Sequence, residues 1–342
     1  MRILRNVSDE FWWEVARKCS YATFYQTPIW KELAERSFPD RYRNETFGAI
    51  LPSGVHVVFP MMSTRRLGPV RWLESTFAGC YGGFIADGPV SSDEATAIYK
   101  HACASSTYSF YVLENPLGPQ LPDAIKPQLN LVVSEDTYVI TLDADFDTLF
   151  ARFSRSRRAA YRRGIKKGVK VRLATTLDDY RAYYVSYRDA VARWGEDENY
   201  GYLWPLFEQI YQLSQNHPEQ IKLWVMTVSD QVVGGRLFFY WNQQVSFWTG
   251  TAHRDFLHHN AIPVADTEIL RDAIAQGYRH FDFNTSGLNQ GMVEYKRRFG
   301  ATGVNVNAWY FENALITSAR SISKGVRTRL TSMLRPRASS GA

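Results

Sequence analysis

Cysteine is scarce in this sequence, with 3 residues among 342. Cys19, Cys80 and Cys103 are odd in number and far apart. This pattern excludes a disulfide framework or a zinc site built on thiolates as the organising principle of the fold. We therefore expect a protein that works in a reducing compartment.

Long apolar runs are also missing. No stretch approaches the ~20 apolar residues that a membrane-spanning helix requires. The N-terminal residues carry scattered charges in place of an apolar core, so we expect no signal peptide. These absences predict a cytoplasmic protein.

Acidic residues are absent from two segments, although the net charge is only +6. Residues 152–172 contain ten Lys or Arg, and the segment after Glu312 contains six. Without the six bases after Glu312, the chain has as many bases as acids, so its net positive charge is local. A helix through the first segment would place Arg155, Arg158 and Arg162 on one face. This favours a phosphate or nucleic-acid partner, and the alternative is a solvated helix face. The basic tail predicts weak contact with an anionic membrane at its inner face, or simply a flexible end.

Several site-forming motifs are missing as well. The histidines of the loop 253–261 do not have metal-ligand spacing, so we expect no metal site. The sequence has no lysine-containing phosphate loop, dinucleotide fingerprint or GxSxG elbow. The pairs Gly82-Gly83 and Gly234-Gly235 are better explained by close packing in strands. We expect no tightly bound cofactor.

The length and the order of elements predict two domains and a tail: 1–145, 146–313 and 314–342. Each domain has helical patterns followed by hairpin patterns, which indicates an α+β fold with mixed sheets. In the second domain we predict one helix over 146–168 and a strand over 278–283.

Chemistry-bearing residues are concentrated in the segment 271–300. Asp282 and Asn284 flank Phe283 and would face the same side of a strand, which suits either acid/base work or a turn-forming Asx pair. Lys296 follows the polar turn that ends the strand. A lysine there could stabilise an oxyanion, although a run of three bases is also typical of a solvated face.

A set of motifs in the second domain resembles the Fem-type (FemAB-like) branch of the GNAT acyltransferase superfamily. These motifs are VVGGRLFF from Val232, SFWTG from Ser246, the proline-started helix at Pro263, FDF from Phe281, and Tyr295-Lys296 followed by Phe299-Gly300. The run IKKGV from Ile165 and the run QTPIW from Gln26 are also typical of the branch. The resemblance covers roughly residues 24–311.

The resemblance implies two tandem GNAT-like domains and an acyl-transfer reaction. Fem-type proteins build peptidoglycan cross-bridges from aminoacyl-tRNA, and relatives acylate other envelope or exopolysaccharide precursors. The motif lysine falls on Lys296, with Asp282 or Glu294 as the expected base. The residues expected to bind substrate, in part through acceptor phosphates, are Lys31, Tyr81, Arg155, Arg158, Arg162, Asn284 and Arg254.

The donor is predicted from a departure from the superfamily pattern. Ordinary GNAT enzymes hold the coenzyme A pyrophosphate on a glycine-rich turn at a helix N-terminus. The corresponding loop here, 253–261, contains no glycine, which favours aminoacyl-tRNA over acyl-CoA. Two alternatives remain: an acyl-CoA-dependent N-acetyltransferase of a small molecule or sugar, and a non-catalytic protein that binds an anionic polymer.

Overall fold

The computed structural model of the protein describes residues 1–67, 70–105, 109–193, 201–287 and 289–312. These form two compact units, one of residues 1–135 with 305–312 and the other of residues 136–304. The division therefore falls ten residues before the expected boundary at 145, and the last strand belongs mainly to the first unit. The basic tail 314–342 lies outside the described residues.

Helices and strands alternate along both units. The helices are α1 (Asp9–Lys18), α2 (Pro28–Ser37), α3 (Ser92–Ser105), α4 (Phe146–Arg152), α5 (Arg155–Lys166), α6 (Leu177–Arg193), α7 (Trp204–Asn216), α8 (Ala261–Ala275) and α9 (Gln290–Arg297). The strands are β1 (Arg2–Leu4), β2 (Tyr42–Asn44), β3 (Phe47–Ile50), β4 (His56–Phe59), β5 (Met62–Leu67), β6 (Val70–Glu74), β7 (Ile85–Ala86), β8 (Ser109–Leu113), β9 (Asn130–Thr141), β10 (Lys170–Leu173), β11 (Ile221–Val228), β12 (Gln231–Trp241), β13 (Gln244–Ala252), β14 (His280–Thr285) and β15 (Thr302–Glu312).

The first unit contains two sets of paired strands. The strands β1, β3, β4 and β7 pair in that order and are antiparallel throughout. The order β15-β8-β6-β5-β2 is mixed, because β8 and β6 are parallel while the other neighbours are antiparallel. One core, which includes Phe59, Ile98 and Phe110, lies among these elements.

The second unit has the strand order β10-β11-β12-β13-β14, followed by the 136–141 part of β9. All neighbours are antiparallel except β13 and β14. The tight turn between β11 and β12 uses Ser229 and Asp230, both with positive φ, as a two-residue hairpin loop requires. Helix α8 packs into a core with Phe238, Phe281 and their neighbours.

Glycine allows two close approaches in this sheet. A Cβ at Gly234 would lie 2.3 Å from the carbonyl oxygen of Thr251, and one at Gly235 would lie 2.7 Å from the ring of Tyr183. The expectation of close packing at this pair is therefore confirmed.

The predicted single helix 146–168 is wrong, because the structure has two helices that meet at Phe153 and Ser154. Ser154 is the N-cap of α5, and its Oγ accepts a hydrogen bond from the backbone N–H of Arg157 at 3.2 Å. The buried Phe153 continues the apolar pattern across the break. The pattern alone therefore does not show where α4 ends.

Candidate functional site

The strands β13 and β14 diverge at the candidate site. They pair in parallel only from Gln244 opposite His280 to Ser246 opposite Asp282, although both strands continue further. A β-bulge lies on β13, since the register with β12 passes from Leu237 opposite Thr249 to Phe238 opposite Phe247. The parallel pairing thus stops at Ser246 and Asp282, before β13 and β14 end.

Lys296 lies on α9 and is 2% exposed. Its Nζ donates to the carbonyl oxygens of Asn284 at 2.5 Å and Thr285 at 2.9 Å, both at the end of β14. The same Nζ lies 5.6 Å from the centre of the Tyr138 ring. Carbonyl dipoles and the π face stabilise a buried ammonium, so a positive charge is fixed where the strands diverge.

Asp282 is fully buried and holds three segments together. Its Oδ1 accepts hydrogen bonds from Thr137 Oγ1 at 2.6 Å and from the backbone N–H of Asn284 at 2.7 Å. Its Oδ2 accepts one from Gln244 Nε2 at 3.0 Å. The carboxylate thus joins β9, β13 and β14 directly beside the carbonyl groups that hold Lys296.

Asn284 interrupts the strand alternation. Its φ is +62°, and the register between β14 and β9 shifts between Asp282 and Thr285. The prediction that Asp282 and Asn284 share one strand face is therefore wrong. The bond from Asn284 N–H to Asp282 is that of an Asx turn, and the Asn284 amide donates to the carbonyl of Phe247 across the gap.

Glu294 lies apart from this group. It is exposed and accepts a hydrogen bond from Arg298 Nε at 2.9 Å, one helical turn later. Side chains two residues apart on a helix point in different directions, so Glu294 and Lys296 do not share a face of α9. The structure thus brings Lys296, Asp282 and Asn284 together, without Glu294.

The predicted basic face of α5 is present in part. Arg155 and Arg162 are exposed, as expected for residues that meet a partner in solution. Arg158 instead donates from Nη1 to the carbonyl oxygens of Ala151 at 2.6 Å and Phe153 at 2.5 Å, and so caps the C-terminal end of α4. Its guanidinium therefore has a structural partner.

Arg254 is held by a carboxylate. Its backbone N–H donates to Asp189 Oδ2 at 3.0 Å and its Nε donates to Asp189 Oδ1. Asp189 also accepts from Arg193 Nε at 3.0 Å. Hydrogen bonds from Arg254 hold the pKa of the Asp189 carboxyl below its usual value, against the effect of burial. The Arg254 charge is thus largely balanced within the protein.

Lys31 and Tyr81 belong to the first unit. Lys31 Nζ donates to Asp9 at 2.8 Å and lies 5.8 Å from the Trp12 ring. Lys31 lines a small cavity with aromatic walls that include Trp12 and Tyr25. Tyr81 is fully buried, and its ring meets that of Tyr25 edge to face at 6.0 Å between centroids. The two predicted residues are thus linked through the cavity wall.

A buried polar network next to Lys296 was not identified from the sequence. Arg236 on β12 donates to both oxygens of Asp266 on α8, at 2.7 and 3.0 Å. The hydroxyl of Tyr295 donates to Asp266 at 2.6 Å. Burial raises the pKa of Tyr295 well above its usual value, so the phenol stays protonated. The sequence feature that could have predicted a buried ion pair here is the arginine inside VVGGRLFF, because it lies between apolar strand residues.

The described residues contain no group of three or more His, Cys, Asp or Glu side chains that could hold a metal ion. None of the helices in the described ranges is long and apolar enough to cross a bilayer.

Comparisons with known proteins show similarity in domain family and in fold. Residues 138–297 match the acetyltransferase (GNAT) domain family. FemX has the same fold with a TM-score of 0.73 and 10% identity, over 94% of this chain and 99% of FemX. No curated protein matches the sequence.

Two further solved structures share the fold over their whole length. L-PGS from Bacillus licheniformis has a TM-score of 0.54 at 10% identity, covering 88% of this chain and 95% of that protein. A tandem GNAT protein from the clavulanic acid biosynthesis pathway has a TM-score of 0.54 at 11% identity, covering 91% and 98%. These similarities confirm the predicted α+β fold of two tandem GNAT-like domains and the resemblance to the Fem-type branch.

Proposed function

We propose that this chain, a Fem-type GNAT fold with an acetyltransferase domain over residues 138–297, is an N-acyltransferase. It would move an activated acyl group onto an amine of a cell-envelope, peptidoglycan or exopolysaccharide precursor. The observation that carries the proposal is the buried Lys296, held by two backbone carbonyl groups where β13 and β14 diverge.

In the proposed reaction the acceptor amine attacks the carbonyl carbon of an activated ester. A C–N bond forms, the carbonyl oxygen gains negative charge, and the C–O bond to the donor then breaks. The Lys296 ammonium stabilises the oxyanion, because a preoriented positive donor in a water-poor site interacts strongly with developing charge. The amine proton passes to a base.

Asp282 and Glu294 remain our two candidates for that base. Asp282 is the nearer to Lys296 in the hydrogen-bond network, but its oxygens already accept three hydrogen bonds. Glu294 is exposed and paired with Arg298. The two candidates differ in environment, so the pH dependence of kcat in D282N and E294Q would separate them.

The packing before α8 supports aminoacyl-tRNA over acyl-CoA as donor. The short helix Arg254–His259 occupies the loop, and α5 packs on the start of α8. A Cβ at Gly164 would lie only 3.0 Å from the carbonyl oxygen of Asn260, and Lys167 Nζ donates to the carbonyl of His258 at 2.5 Å. Pro263 removes one N–H from the first turn of α8. Little room and few donors are left there for a pyrophosphate.

The exposed bases of α5 support a donor or acceptor rich in phosphate. No ion pair or hydrogen bond among the described residues engages the side chains of Arg155, Arg162, Arg163 or Lys166. Exposed guanidinium groups match phosphate oxygens in geometry and charge.

We further propose that Lys31, beside its aromatic cavity, and Tyr81 contribute to the acceptor site. We place the activity at the cytoplasmic face of the membrane.

Replacing Lys296 with methionine tests the proposed function. We expect kcat for transfer of a labelled amino acid from tRNA to an amine-bearing envelope precursor to fall by about 10²–10³, as on loss of an oxyanion donor. Arg297→Met is the matched control, since Arg297 is the exposed neighbour on the same helix. Unchanged turnover in a folded K296M protein would contradict the role of Lys296.

Titration with coenzyme A tests the choice of donor. We expect no submicromolar binding, because the start of α8 is covered. Tight binding with transfer from acetyl-CoA would instead support the alternative, an acyl-CoA-dependent N-acetyltransferase. Tight RNA binding without transfer from either donor would support the non-catalytic alternative.

A further inference from the structure

Arg157 is a buried arginine whose charge is not balanced by an acid. The residue is 7% exposed. Its Nε is fully buried and has no hydrogen-bond partner. Its guanidinium makes no ion pair or hydrogen bond with any residue in the described ranges, and its two Nη groups keep contact with solvent. This differs from Arg158, which donates to two carbonyl groups.

The contacts that Arg157 does make come from Tyr295 on α9 and from Phe299, just beyond the end of that helix. Its guanidinium carbon lies 4.0 Å from the centre of the Tyr295 ring and 4.7 Å from that of Phe299. These contacts are with aromatic rings, so they leave the guanidinium N–H donors without a hydrogen-bond acceptor among the described residues. Such donors suit an oxyanion that accepts two parallel hydrogen bonds.

Neighbouring groups do not supply that anion. Asp266 accepts a hydrogen bond from the Tyr295 hydroxyl and is already paired with Arg236 through both oxygens. Tyr295 stays a neutral phenol, because burial raises its pKa. The two cation–π contacts stabilise the cation by less than the loss of its hydration destabilises it, so they do not replace an anionic partner.

We propose that Arg157 binds an oxyanion of a substrate, a carboxylate or a phosphate, beside the helix that holds Lys296. This inference rests on the proposed acyl-transfer function and adds a substrate feature to it: the acceptor or donor carries an anionic group close to its reacting centre. The guanidinium fork orients that group, and Tyr295 and Phe299 hold the fork.

The binding test does not require turnover. In the ¹⁵N-labelled full-length protein, the Arg157 Nε–H resonance is assigned by its loss in R157K and followed during titration with inorganic phosphate or with acetate at constant ionic strength. We expect a saturable shift with one of the two anions, which identifies the phosphate or the carboxylate as the source. A resonance that does not shift with either anion would overturn the proposal.

A second variant separates binding from packing. R157M keeps an apolar stem of similar shape and removes the charge. We expect it to raise the melting temperature and to raise KM for the anionic substrate by about 10–100-fold, with a smaller change in kcat. R181M, which removes an exposed arginine from α6 that pairs with Asp178, serves as control and should leave KM for that substrate within about threefold. If R157M lowers stability and leaves KM unchanged, Arg157 is a packing residue.

Different experimental results would contradict the acyl-transfer mechanism and the Arg157 anion site. If K296M retains turnover while the Arg157 resonance still saturates with an anion, the acyl-transfer mechanism is wrong and the anion site stands. If K296M is inactive and R157M behaves as wild type, the mechanism stands and the anion site is wrong.

Discussion

Substitution of Asp282 should destabilise the protein, because its carboxylate accepts hydrogen bonds from donors in three different segments. In Asp282→Asn an NH₂ group replaces one oxygen, so at least one of these donors loses its acceptor. We expect the free energy of unfolding to fall by about 1–3 kcal/mol, measured by chemical denaturation.

Thr137→Val is the matched comparison, because it removes a single donor and leaves the other two bonds of Asp282 in place. It should cost less than Asp282→Asn. Equal stability of D282N and wild type would show that the carboxylate does not hold the three strands.

Residue-scale chemistry was only partly accessible from the sequence. The resemblance pointed to Lys296, which the structure buries on α9. The left-handed backbone at Asn284 was missed, because Asp282-Phe283-Asn284 alternates like a regular strand. The burial of Arg157 within a run of exposed bases was also missed, since burial depends on which helix face meets α9.

At the scale of elements, the contact between α5 and α8 depends on Gly164. A Cβ there would lie 2.4 Å from Val264 Cγ2 and 3.0 Å from the carbonyl oxygen of Asn260. We therefore expect Gly164→Ala to lower the melting temperature. In a helix interior without such a contact, alanine stabilises the fold by about 0.5–1 kcal/mol relative to glycine. A rise in melting temperature would show that the two helices can separate at no cost.

The link between β10 and α6 gives a pH-dependent prediction. Arg172 donates to Asp179 at 2.7 and 2.9 Å, and the hydrogen bonds from Arg172 lower the pKa of Asp179 to about 2. The folded-state pKa lies below the unfolded value, so the stabilisation is present above pH ~4 and is lost as the pH falls toward 2.

Asp179→Asn should therefore reduce the melting temperature at pH 6 and have little effect at pH 2. Thermal unfolding of both proteins across this range measures the difference. A gap between the two melting curves that stays constant down to pH 2 would mean that the ion pair contributes no stability.

Elements with clear local signals were predicted well, and those set by tertiary contacts were not. The hairpin of β11 and β12 has such a signal, because two runs rich in apolar residues flank the turn residues Ser229-Asp230. Helix α9 was not predicted, because its 8 residues QGMVEYKR show little more than two turns of pattern. Its position depends on Val293 and Phe299, which pack into the core of the second unit.

At the scale of the molecule, uneven charge predicts salt-dependent binding of RNA. Replacing Arg155, Arg162, Arg163 and Lys166 with glutamine should weaken tRNA binding. Each phosphate contact removed should lower the slope of log Kobs against log salt by about 1. Filter binding at several salt concentrations gives the slope. Arg181→Gln, which removes an exposed base paired with Asp178, is the control and should leave the slope unchanged.

The division of the chain was predicted as two domains in sequence, and the structure shows why the sequence could not give the boundary. Composition does not change near residue 135, and β9 runs through the division without a break. The assignment of 305–312 to the first unit depends on pairing with β8, a long-range contact that has no local signal.

Domains usually fold in the order in which they are synthesised. The pairing of β15 with β8 reverses that order here. Leu113 on β8 pairs with Ala308 on β15, so this strand pair cannot form until the whole of 136–304 has left the ribosome. Closing so long a loop is slow, whereas the second unit has all its residues available earlier. A nascent or truncated chain that stops before 305 would expose the edge of β8, a template for aggregation. The unit that begins the sequence is thus the last one to be completed.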